Sequence, residues 1–315
     1  MDKIVATVVI NCYNGEKYLK QAIDSVLNQS FLDFELIFWD NKSTDNSASI
    51  VLSYDDNRIK YFLSDSHDIL GLARNKAIEK SSGKFITFLD CDDYWLPNKL
   101  ETQIEIMNSG DYVLSYAGVL IVDEDMNEIV NLYPAHLNGY RFNDLLGNFD
   151  VNMATPIIRR QSLVDYDLNF DSQIYASEEV NLFLKLAYYG NISSTSETLA
   201  VIRSGYNGLT QKSLKFWYKD LETTIEQLLS IDNEIPIKFP DGYNKINAKM
   251  NYYKSRYYLN SKQYRNTVFS AYKSAKLSKK YFLYFLLTLV PFLTKYFLYL
   301  YEQKSMRWFI WRLRN

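Results

Sequence analysis

The chain has 315 residues, 47% hydrophobic and 23% charged, which excludes a disordered or fibrous protein and allows one large domain with an appendage, or two domains. A formal net charge of −2 hides an uneven distribution. Residues 242–315 hold 15 Lys and Arg against one acidic residue, which leaves 20 basic and 36 acidic residues before them. An acidic body and a basic C-terminal segment predict two functional regions.

The cysteines and the termini indicate a cytoplasmic protein. Cys12 and Cys91 are too few for a disulfide framework and are predicted to be reduced thiols. The first 15 residues contain a short apolar run without a cleavage region, which favours a buried strand over a secretion signal. The longest apolar stretch, 281–294, is shorter than the roughly 20 residues that a membrane-spanning helix needs.

Short apolar runs alternate with helical patterns along the first 90 residues. A helix is predicted from Glu16, with apolar residues on one face, and a second helix is predicted over 71–83, ended by Gly83. This alternation predicts an α/β fold with a Rossmann-like, mostly parallel, doubly wound sheet. Four runs read as buried strands: 4–10, 34–40, 58–63 and 84–90.

Polar side chains follow three of these strands: Asn11, Asp40, and Asp90 with Asp92. Because ligands of parallel sheets bind outside the carboxyl ends of the strands, we expect these side chains to line one crevice. Asp90, Asp92 and Asp93 would repel one another unless a cation or hydrogen-bond donors offset their charge. The sequence therefore predicts a positively charged partner at this place.

Beyond Asp111 the strand–helix alternation is less regular. The pattern predicts a strand pair over 112–125 and 128–133 and a helix over 178–190 that ends at Gly190. From about residue 212 onward it is helical throughout.

Four segments of the chain occur in the order and spacing found in family 2 glycosyltransferases. The chain resembles this family over residues 4–210, which implies the GT-A fold and transfer of a sugar from a nucleotide-sugar, usually with inversion of the anomeric centre. An isolated Asp-x-Asp is weak evidence, but four motifs in order are specific. The segments are VVINCYNGEKYLKQAIDSVLNQSFLDFELIFWDNKSTDNS, GLARNKAI, GKFITFLDCDDYWLPNKLETQ and SEEVNLFLKLAYYGN.

The resemblance implies a division of the chain. Residues 1–211 would form the GT-A catalytic domain, with a nucleotide-binding half to about residue 110 and an acceptor half over 111–211. Residues 212–315 would form an all-helical C-terminal region.

The same resemblance implies which residues bind the nucleotide. Asn11 and Tyr13 match the loop that cradles the base, in an Asn-Cys-Tyr-Asn segment where many members have Pro-Thr-Tyr-Asn. Asp40 matches the aspartate that hydrogen-bonds the base or ribose, and Asn41 replaces a second aspartate that often follows. Arg74 matches the arginine that borders the nucleotide pocket.

The Asp-x-Asp element of the family is matched by Asp90 and Asp92, which implies a divalent metal on the donor diphosphate, with Asp90 also beside the nucleotide. Carboxylate oxygens suit Mg²⁺ or Mn²⁺, and such an ion would stabilise charge on the leaving diphosphate. Many members add a histidine ligand, but the matching position here is about Gly205. The two histidines of the chain, His67 and His136, do not match it.

An inverting transfer also needs a base, because the acceptor hydroxyl has a pKa far above 7. The family supplies it from an acidic pair at the start of a helix, commonly Glu-Asp. Here the pair is Glu178-Glu179, and the resemblance assigns Glu179 as the catalytic base. The additional methylene moves this carboxylate by roughly 1.5 Å.

Each of these motifs also has a purely structural interpretation. The aspartates at 90–93 could cap the following helix, and Asp40 could be a strand-end turn residue. Arg74 could be a surface cation. Glu178 and Glu179 favour a helix N-terminus through the macrodipole alone.

Residues 281–314 interleave aromatic and aliphatic side chains with lysines and arginines, which suits the surface of an anionic membrane. Packing on the catalytic domain or on a second subunit remains the alternative, and an oligomer is compatible with the sequence. No recognition motif indicates nucleic-acid binding. The segment QKSMRW at 303–308 differs in spacing from the Gln-x-x-Arg-Trp element of processive synthases, so transfer of a single sugar is favoured.

We therefore expect an enzyme at the inner face of the cell membrane that adds one sugar to a hydroxyl of a cell-surface glycan or lipid-linked glycan acceptor. The donor would be UDP-linked by family frequency. A sugar nucleotidyltransferase would need a glycine-rich phosphate loop after the first strand, which NCYNGEKYL is not. A non-catalytic nucleotide-sugar-binding or scaffold protein stays open because of Asn41, Glu179 and Gly205.

Overall fold

A computed structural model of the chain describes residues 4–135, 138–204 and 214–290. The chain divides into two compact units. The first contains Met1–Arg141, Asp150–Ser172 and Lys185–Gly205, and the second contains Phe142–Phe149, Gln173–Leu184 and Tyr206–Asn315. The domain boundary predicted near residue 211 stays a prediction.

One mixed sheet of nine strands forms the centre of the first unit, as far as it is described. Along the sheet the order is β3-β2-β1-β4-β8-β6-β9-β5, with β7 paired to β6. The strands are β1 Ala6–Cys12, β2 Phe34–Asp40, β3 Ile59–Leu63, β4 Phe85–Asp90, β5 Tyr94–Trp95, β6 Tyr112–Val122, β7 Glu128–Leu132, β8 Ile157–Arg159 and β9 Asn191–Arg203.

The first four strands are parallel and are the four that the apolar runs predict. β1 lies between β2 and β4, and β3 pairs with β2. All seven residues of β1 and of β2 are buried, because helices cover both faces of a parallel sheet. The predicted strand pair is also present, as antiparallel β6 and β7.

The second half of the sheet is mixed. β8 runs antiparallel to both β4 and β6, while β9 is parallel to β6. The mostly parallel, Rossmann-like α/β sheet of the GT-A fold is therefore confirmed, with antiparallel strands at its centre and edge.

Helices of the first unit cover the sheet. The α1 helix turns its predicted apolar face inward, with Leu19, Ala22, Ile23 and Val26 buried. The α3 helix ends at Glu79 and not, as predicted, at Gly83. Gly83 approaches β1 so closely that a Cβ there would lie 2.5 Å from the Thr7 nitrogen. The helices are α1 Glu16–Leu27, α2 Ser47–Leu52, α3 Leu70–Glu79, α4 Lys99–Ser109 and α6 Arg160–Asp165.

The second unit is helical where it is described, which confirms the all-helical C-terminal region over residues 214–290. It also contains α5 and the first seven residues of α7. The boundary between the two units falls within α7, between Leu184 and Lys185. Its elements are α5 Phe142–Gly147, α7 Glu178–Tyr189, α8 Leu214–Ile231, α9 Ile235–Lys238, α10 Pro240–Asn260, α11 Tyr264–Leu277, a short 3₁₀ helix Lys279–Tyr281 and α12 Phe282–Thr288.

None of the helices described has both the length and the apolar character that crossing a bilayer requires. Of the basic-aromatic segment predicted at 281–314, residues 291–314 lie outside the described residues. The segment 303–308, His136 and Gly205 lie outside them as well.

Candidate active site

The strand register aligns the predicted polar residues at one edge of the sheet. Asn11 is the pairing partner of Asp90 on β4 and of Trp39 on β2. Cys12 pairs with Asp40. Partners in parallel strands present their side chains to the same face of the sheet, so Asn11, Trp39 and Asp90 share one face. The carboxyl ends of β1, β2 and β4 therefore meet as the sequence predicts.

Two hydrogen-bond donors at this edge have no acceptor within the described part of the chain. They are Nδ2 of Asn11, whose residue is 9% exposed, and Nε1 of Trp39, which is 6% exposed. A buried donor without an acceptor costs about 1–3 kcal/mol. Both donors belong to one face of neighbouring strands, which makes this edge a place where an oxygen-rich ligand would be stabilised.

Asp40 is buried and already accepts two hydrogen bonds from the protein. Its Oδ1 accepts from the Ser43 amide at 2.7 Å and its Oδ2 accepts from the Tyr61 hydroxyl at 2.8 Å. Burial and this bond to Asp40 raise the pKa of Tyr61 to about 12. These bonds agree with the interpretation of Asp40 as a turn residue at the end of a strand. Its contact with a nucleotide stays a prediction, and Asp40 would make that contact with its remaining lone pairs.

Asn41 joins the end of β2 to the segment after β3. Its Nδ2 donates to the Asp68 carbonyl at 2.8 Å, and its Oδ1 accepts from the Asp68 amide at 3.0 Å. An aspartate, which is frequent here in the family, could not donate the first bond. The departure at Asn41 therefore has a structural reason in this chain.

Tyr13 forms an aromatic pair with His67, which the sequence motifs left without a role. The ring centroids lie 3.9 Å apart with a tilt of 42°, and Tyr13 is 48% exposed. Nδ1 of His67 lies 3.1 Å from the Asn41 carbonyl, a geometry in which the ring nitrogen donates. His67 could have been found by the rule that selected Asn11 and Asp40, because it follows the carboxyl end of β3.

Arg74 is buried and therefore is not a surface cation. Its side chain is 3% exposed and forms an ion pair with Asp90, with Nη2 and Oδ1 3.2 Å apart. The guanidinium also lies over the Phe170 ring, 5.5 Å from its centroid. Arg74 thus offsets part of the charge of the acidic cluster from within the fold.

The acidic cluster does not cap a helix, because the next helix begins at Lys99 with Asn98 before it. Asp93 is 5% exposed, and its Oδ1 accepts from the Arg203 amide at 2.9 Å. Burial and the charges of Asp92 and Asp90 raise the pKa of Asp93 well above its usual value. Asp93 therefore ties the loop to the end of β9 and is not turned to solvent.

Asp92 is the exposed member of the cluster. The protein around it still desolvates the carboxyl in part, and this effect together with the charge of Asp90 raises the pKa of Asp92. Its backbone carbonyl accepts a hydrogen bond from Nη1 of Arg203, whose Nη2 donates to Gln21. Arg203 therefore holds the backbone on which Asp92 stands, a role that no motif indicated.

The acidic cluster could supply only some of the ligands that a divalent metal needs. Within the described ranges, no three His, Cys, Asp or Glu side chains form a ready-made metal site. Mg²⁺ is commonly held by one or two carboxylates together with substrate phosphates. Asp90, whose charge Arg74 offsets in part, and exposed Asp92 are compatible with that kind of site.

Glu178 and Glu179 are the first two residues of α7 and belong to the second unit. The segment that precedes them is hydrogen-bonded to α8. Asp220 of α8 is 3% exposed, and its Oδ2 accepts from the Ala176 amide at 2.7 Å. The Tyr175 amide lies 3.3 Å from both oxygens of the same carboxylate. Asp220 thus fixes the backbone that leads into the acidic pair.

Two further contacts support the start of α7. Nδ2 of Asn181 donates to Thr224 at 3.1 Å and to Gln227 at 2.8 Å, both on α8. Burial lowers the pKa of Lys249 on α10, while the negative charge of Glu179 opposes that shift. The candidate base therefore belongs to the second unit, where it is close enough to Lys249 to act on it electrostatically.

The fold and the sequence together are those of a glycosyltransferase. The sequence model of Glycosyl transferase family 2 matches residues 7–166, half of the chain, and the chain belongs to this family. It is 32% identical over 194 residues to WfgD of Escherichia coli, the UDP-Glc:alpha-D-GlcNAc-diphosphoundecaprenol beta-1,3-glucosyltransferase. That match covers 62% of this chain and 74% of WfgD.

Two solved structures share the fold. The fragment 1–349 of S. aureus TarS in complex with UDP-GlcNAc superposes with a TM-score of 0.65 at 17% identity, over 86% of this chain and 91% of the fragment. The mannosyltransferase PcManGT from Pyrobaculum calidifontis, in complex with GDP-Man and Mn²⁺, gives 0.56 at 13% identity, over 92% and 85%. At these identities the likeness concerns the fold alone.

Proposed function

We propose that this chain transfers a single sugar from a UDP-sugar to a hydroxyl of a lipid-linked or cell-surface glycan, with inversion and with a divalent metal. The observation that carries the proposal is the alignment of Asn11 with Asp90 at one sheet edge, beside exposed Asp92. At this edge lie hydrogen-bond donors without an acceptor in the described residues and carboxylates whose charge Arg74 offsets only in part. A metal-bound diphosphate ester would satisfy both.

In the proposed donor complex, the strand ends hold the nucleotide. Tyr13 offers an exposed ring to the base, with His67 packed behind it. Nδ2 of Asn11 is a free donor at the same edge, and Asp40 remains able to accept from a ribose hydroxyl. Arg74 keeps Asp90 in place through their ion pair.

Asp92 and Asp90 would hold Mn²⁺ or Mg²⁺. When bound, such an ion neutralises the diphosphate and stabilises the charge that it gains on leaving. Arg203 keeps Asp92 in position through the Asp92 carbonyl, so the ligand stands on a backbone that is fixed from β9.

Glu179 is proposed as the base that accepts the proton of the acceptor hydroxyl as its oxygen attacks the anomeric carbon. A carboxylate in the first turn of a helix is stabilised in its ionised form by the helix dipole, and Glu179 occupies that position in α7. Attack on the face opposite the leaving diphosphate inverts the anomeric centre. Asp220 maintains the backbone that presents Glu179.

The acceptor class rests on the relative WfgD, whose acceptor is a diphosphoundecaprenol-linked sugar. A lipid-linked acceptor requires an enzyme at a membrane surface. The exposed apolar residues Phe282, Leu283 and Leu286 beside Lys279 and Lys280 support such an association for the described part of the C-terminal segment.

Thermal unfolding with Mn²⁺ and a panel of nucleoside diphosphates tests the donor site. A ligand that binds only the folded protein stabilises it by about 2.7 kcal/mol at 100 times its Kd. We expect UDP to raise the Tm of the wild type only when Mn²⁺ is present, and Asp92→Ala to abolish this shift. Asp125→Ala, an exposed carboxylate of the β6–β7 hairpin, is the matched control and should keep it.

A transfer assay tests the catalytic part. UDP-sugars are offered together with a polyprenyl-diphosphate GlcNAc acceptor, and the anomeric configuration of the product is read by NMR. Glu179→Gln should lower kcat by at least about 100-fold, with the UDP-dependent Tm shift unchanged. Donor binding without turnover across the acceptor panel would instead favour a non-catalytic nucleotide-sugar-binding protein.

A further inference from the structure

The two cysteines of the chain, 79 positions apart in sequence, meet at the candidate site. Cys12 follows Asn11 at the end of β1, and Cys91 follows Asp90 at the end of β4, where Asn11 and Asp90 are pairing partners. Cys91 is also the central residue of the Asp-Cys-Asp segment. Cys12 is thus the last residue of β1, and Cys91 is the first residue after the neighbouring strand β4.

Gly15 gives a measure of how close the sulfurs are. A Cβ at Gly15 would lie 2.8 Å from the Cys12 sulfur and 2.7 Å from the Cys91 sulfur. Both sulfurs lie close to this one point, so they are at most about 5.5 Å apart. The residues before them, Asn11 and Asp90, are partners on neighbouring strands, and the strand spacing of about 4.8 Å is within the Cα–Cα range of a disulfide. Only a glycine at position 15 leaves room for this pair.

The surroundings of the two thiols differ. Cys12 is 1% exposed and its thiol donates to Ser47 at 3.5 Å, whereas Cys91 is partly accessible. A hydrogen bond from the Cys91 thiol lowers the pKa of Cys12, which makes Cys12 the better thiolate of the two. The hydrogen bond with Cys12, burial and the charges of Asp92 and Asp90 raise the pKa of Cys91 well above its usual value. Cys91 is nevertheless the more accessible of the two sulfurs, so a small oxidant would reach Cys91 first, and Cys12 would then attack the oxidised Cys91 sulfur.

We propose that Cys12 and Cys91 form a reversible intramolecular disulfide on exposure to a hydroperoxide, and that this bond switches off the donor site. The second part of this inference rests on the proposed function. The first part does not.

The chemistry balances with the peroxide as the oxidant. The Cys91 sulfur attacks a peroxide oxygen, the O–O bond breaks, and one water leaves as Cys91 becomes a sulfenic acid. The Cys12 thiolate then attacks the Cys91 sulfur, the S–O bond breaks, and the hydroxide takes a proton to leave as a second water. Two thiols and one hydrogen peroxide give one disulfide and two waters, and a small thiol reverses the bond by exchange.

The bond would act on the site because Cys91 lies between the two proposed metal ligands. A disulfide requires an S–S separation of about 2.05 Å and a narrow range of dihedral angles. Closing the bond draws residue 91 toward the end of β1 and shifts the carboxylates of Asp90 and Asp92 on either side. Metal-dependent binding of a nucleoside diphosphate should weaken as a result.

The bond itself is tested by mass. Reduced full-length protein is treated with hydrogen peroxide at pH 8, freed of peroxide, denatured and alkylated with N-ethylmaleimide. The wild type should lose two hydrogen atoms and take up no alkylating agent, and digestion should yield a peptide that joins residue 12 to residue 91. Cys12→Ser and Cys91→Ser should each be unable to form this peptide.

The effect on the site is tested by the Mn²⁺-dependent Tm shift with UDP. Oxidised wild type should need at least about tenfold more UDP for the same shift, and a thiol reductant should restore the original value. Cys91→Ser, treated in the same way, should show no change on oxidation.

An oxidised wild type without the cross-linked peptide would overturn the inference. So would a cross-linked protein that binds UDP as well as the reduced form, or an equal loss of binding in Cys91→Ser. If no nucleoside diphosphate stabilises the reduced protein, the proposed function fails by itself, and the mass measurement still decides whether the disulfide forms.

Discussion

The Asn41 amide serves two partners of opposite kind, the carbonyl and the amide of Asp68. We predict that Asn41→Asp lowers the free energy of unfolding by about 1–2 kcal/mol, because the carboxylate cannot donate and would face a carbonyl oxygen. Urea denaturation measures the loss. Asn108→Asp is the control, since exposed Asn108 accepts from Lys84 and a carboxylate would accept equally well. Equal losses in both variants would contradict this role for Asn41.

Lys99 is fully buried, with its Nζ bonded to the Thr87 hydroxyl and 4.0 Å from the centroid of the Trp95 ring. Burial lowers the pKa of Lys99 well below its usual value. The unfolded chain therefore binds more protons at this position than the folded one, and the stability contributed by Lys99 is complete above the unfolded pKa and is lost as the pH falls.

We predict that Lys99→Met raises the free energy of unfolding at pH 7 by about 1 kcal/mol or more, because it removes a costly buried amine while Thr87 keeps its bond to the Pro156 carbonyl. The gain should shrink as the pH approaches 10.5. Denaturation of wild type, Lys99→Met and the exposed control Lys80→Met at pH 7 and pH 9.5 checks this. A loss of stability at pH 7 would show that the cation–π contact outweighs the desolvation.

The residues at the strand ends were predictable, and their partners were not. The short buried runs, their alternation with helices and the position of Asp40 and Asp90 at the ends of these runs were enough to place both residues at one edge. The sequence could not show that Arg74 is buried against Asp90, or that Asp93 bonds to Arg203, 110 positions away. Such pairings depend on how elements pack, and no local pattern encodes them.

Among the elements, α8 has a clear effect on α7 through Asp220. We predict that Asp220→Ala lowers the free energy of unfolding by about 2–3 kcal/mol, because the amides of Tyr175 and Ala176 lose their buried acceptor. It should also lower kcat more than it changes the KM for the donor, since the segment that presents Glu179 is released. Asp220→Asn keeps an acceptor oxygen and should recover most of both quantities. Loss of stability with unchanged kcat would limit Asp220 to a structural role.

The strands that the sequence did not reveal share a physical cause. β8 has three residues, too few for a period, and it is a strand because β4 and β6 pair with it on either side. β9 begins with Asn191 and Ile192, and a run of Ser and Thr follows, a composition typical of loops. Its pairing with β6 decides its conformation. Strand propensity is weak against such tertiary context.

At the scale of the whole molecule, charge and apolar exposure concentrate toward the C-terminus. The described residues 242–290 contain ten Lys and Arg and no acidic residue, and Leu283 and Leu286 of α12 are 61% and 43% exposed. We predict that the protein binds vesicles containing anionic lipid more tightly than zwitterionic ones, with an affinity that falls as salt is added.

A double variant tests which residues make this contact. Leu283→Glu with Leu286→Glu should weaken vesicle binding at least about tenfold, because each leucine loses its burial in the interface and each carboxylate is repelled. Leu52→Glu, an equally exposed leucine of the first unit, is the control. Sedimentation with vesicles measures both, and equal binding by the double variant and the control would leave subunit or domain packing as the explanation for this surface.

The sequence could not predict which segments of the chain make up the second unit. Its α5 segment joins helices almost one hundred positions later, where Asn143 accepts from the Gly242 amide at 3.0 Å and the Phe142 and Phe239 rings lie 5.0 Å apart. A Cβ at Gly242 would be 2.5 Å from the Asn143 carbonyl, so the helices touch through backbone. Contacts between segments this distant leave no periodic signal.

The central position of β1 has a consequence for where this chain tolerates inserted residues. Because side chains alternate along a strand, Asn11 and Cys12 point to opposite faces of the sheet. One residue inserted before Asn11 would move each of the two side chains to the opposite face and so remove both from their present surroundings. In the hairpin between β6 and β7, Met126 has a φ of 66° and is exposed. An insertion in this turn would not move strand side chains from one face of the sheet to the other. Affinity tags, fluorophores or a split of the chain are therefore best placed at residues 123–127, and random insertion libraries should be depleted throughout β1.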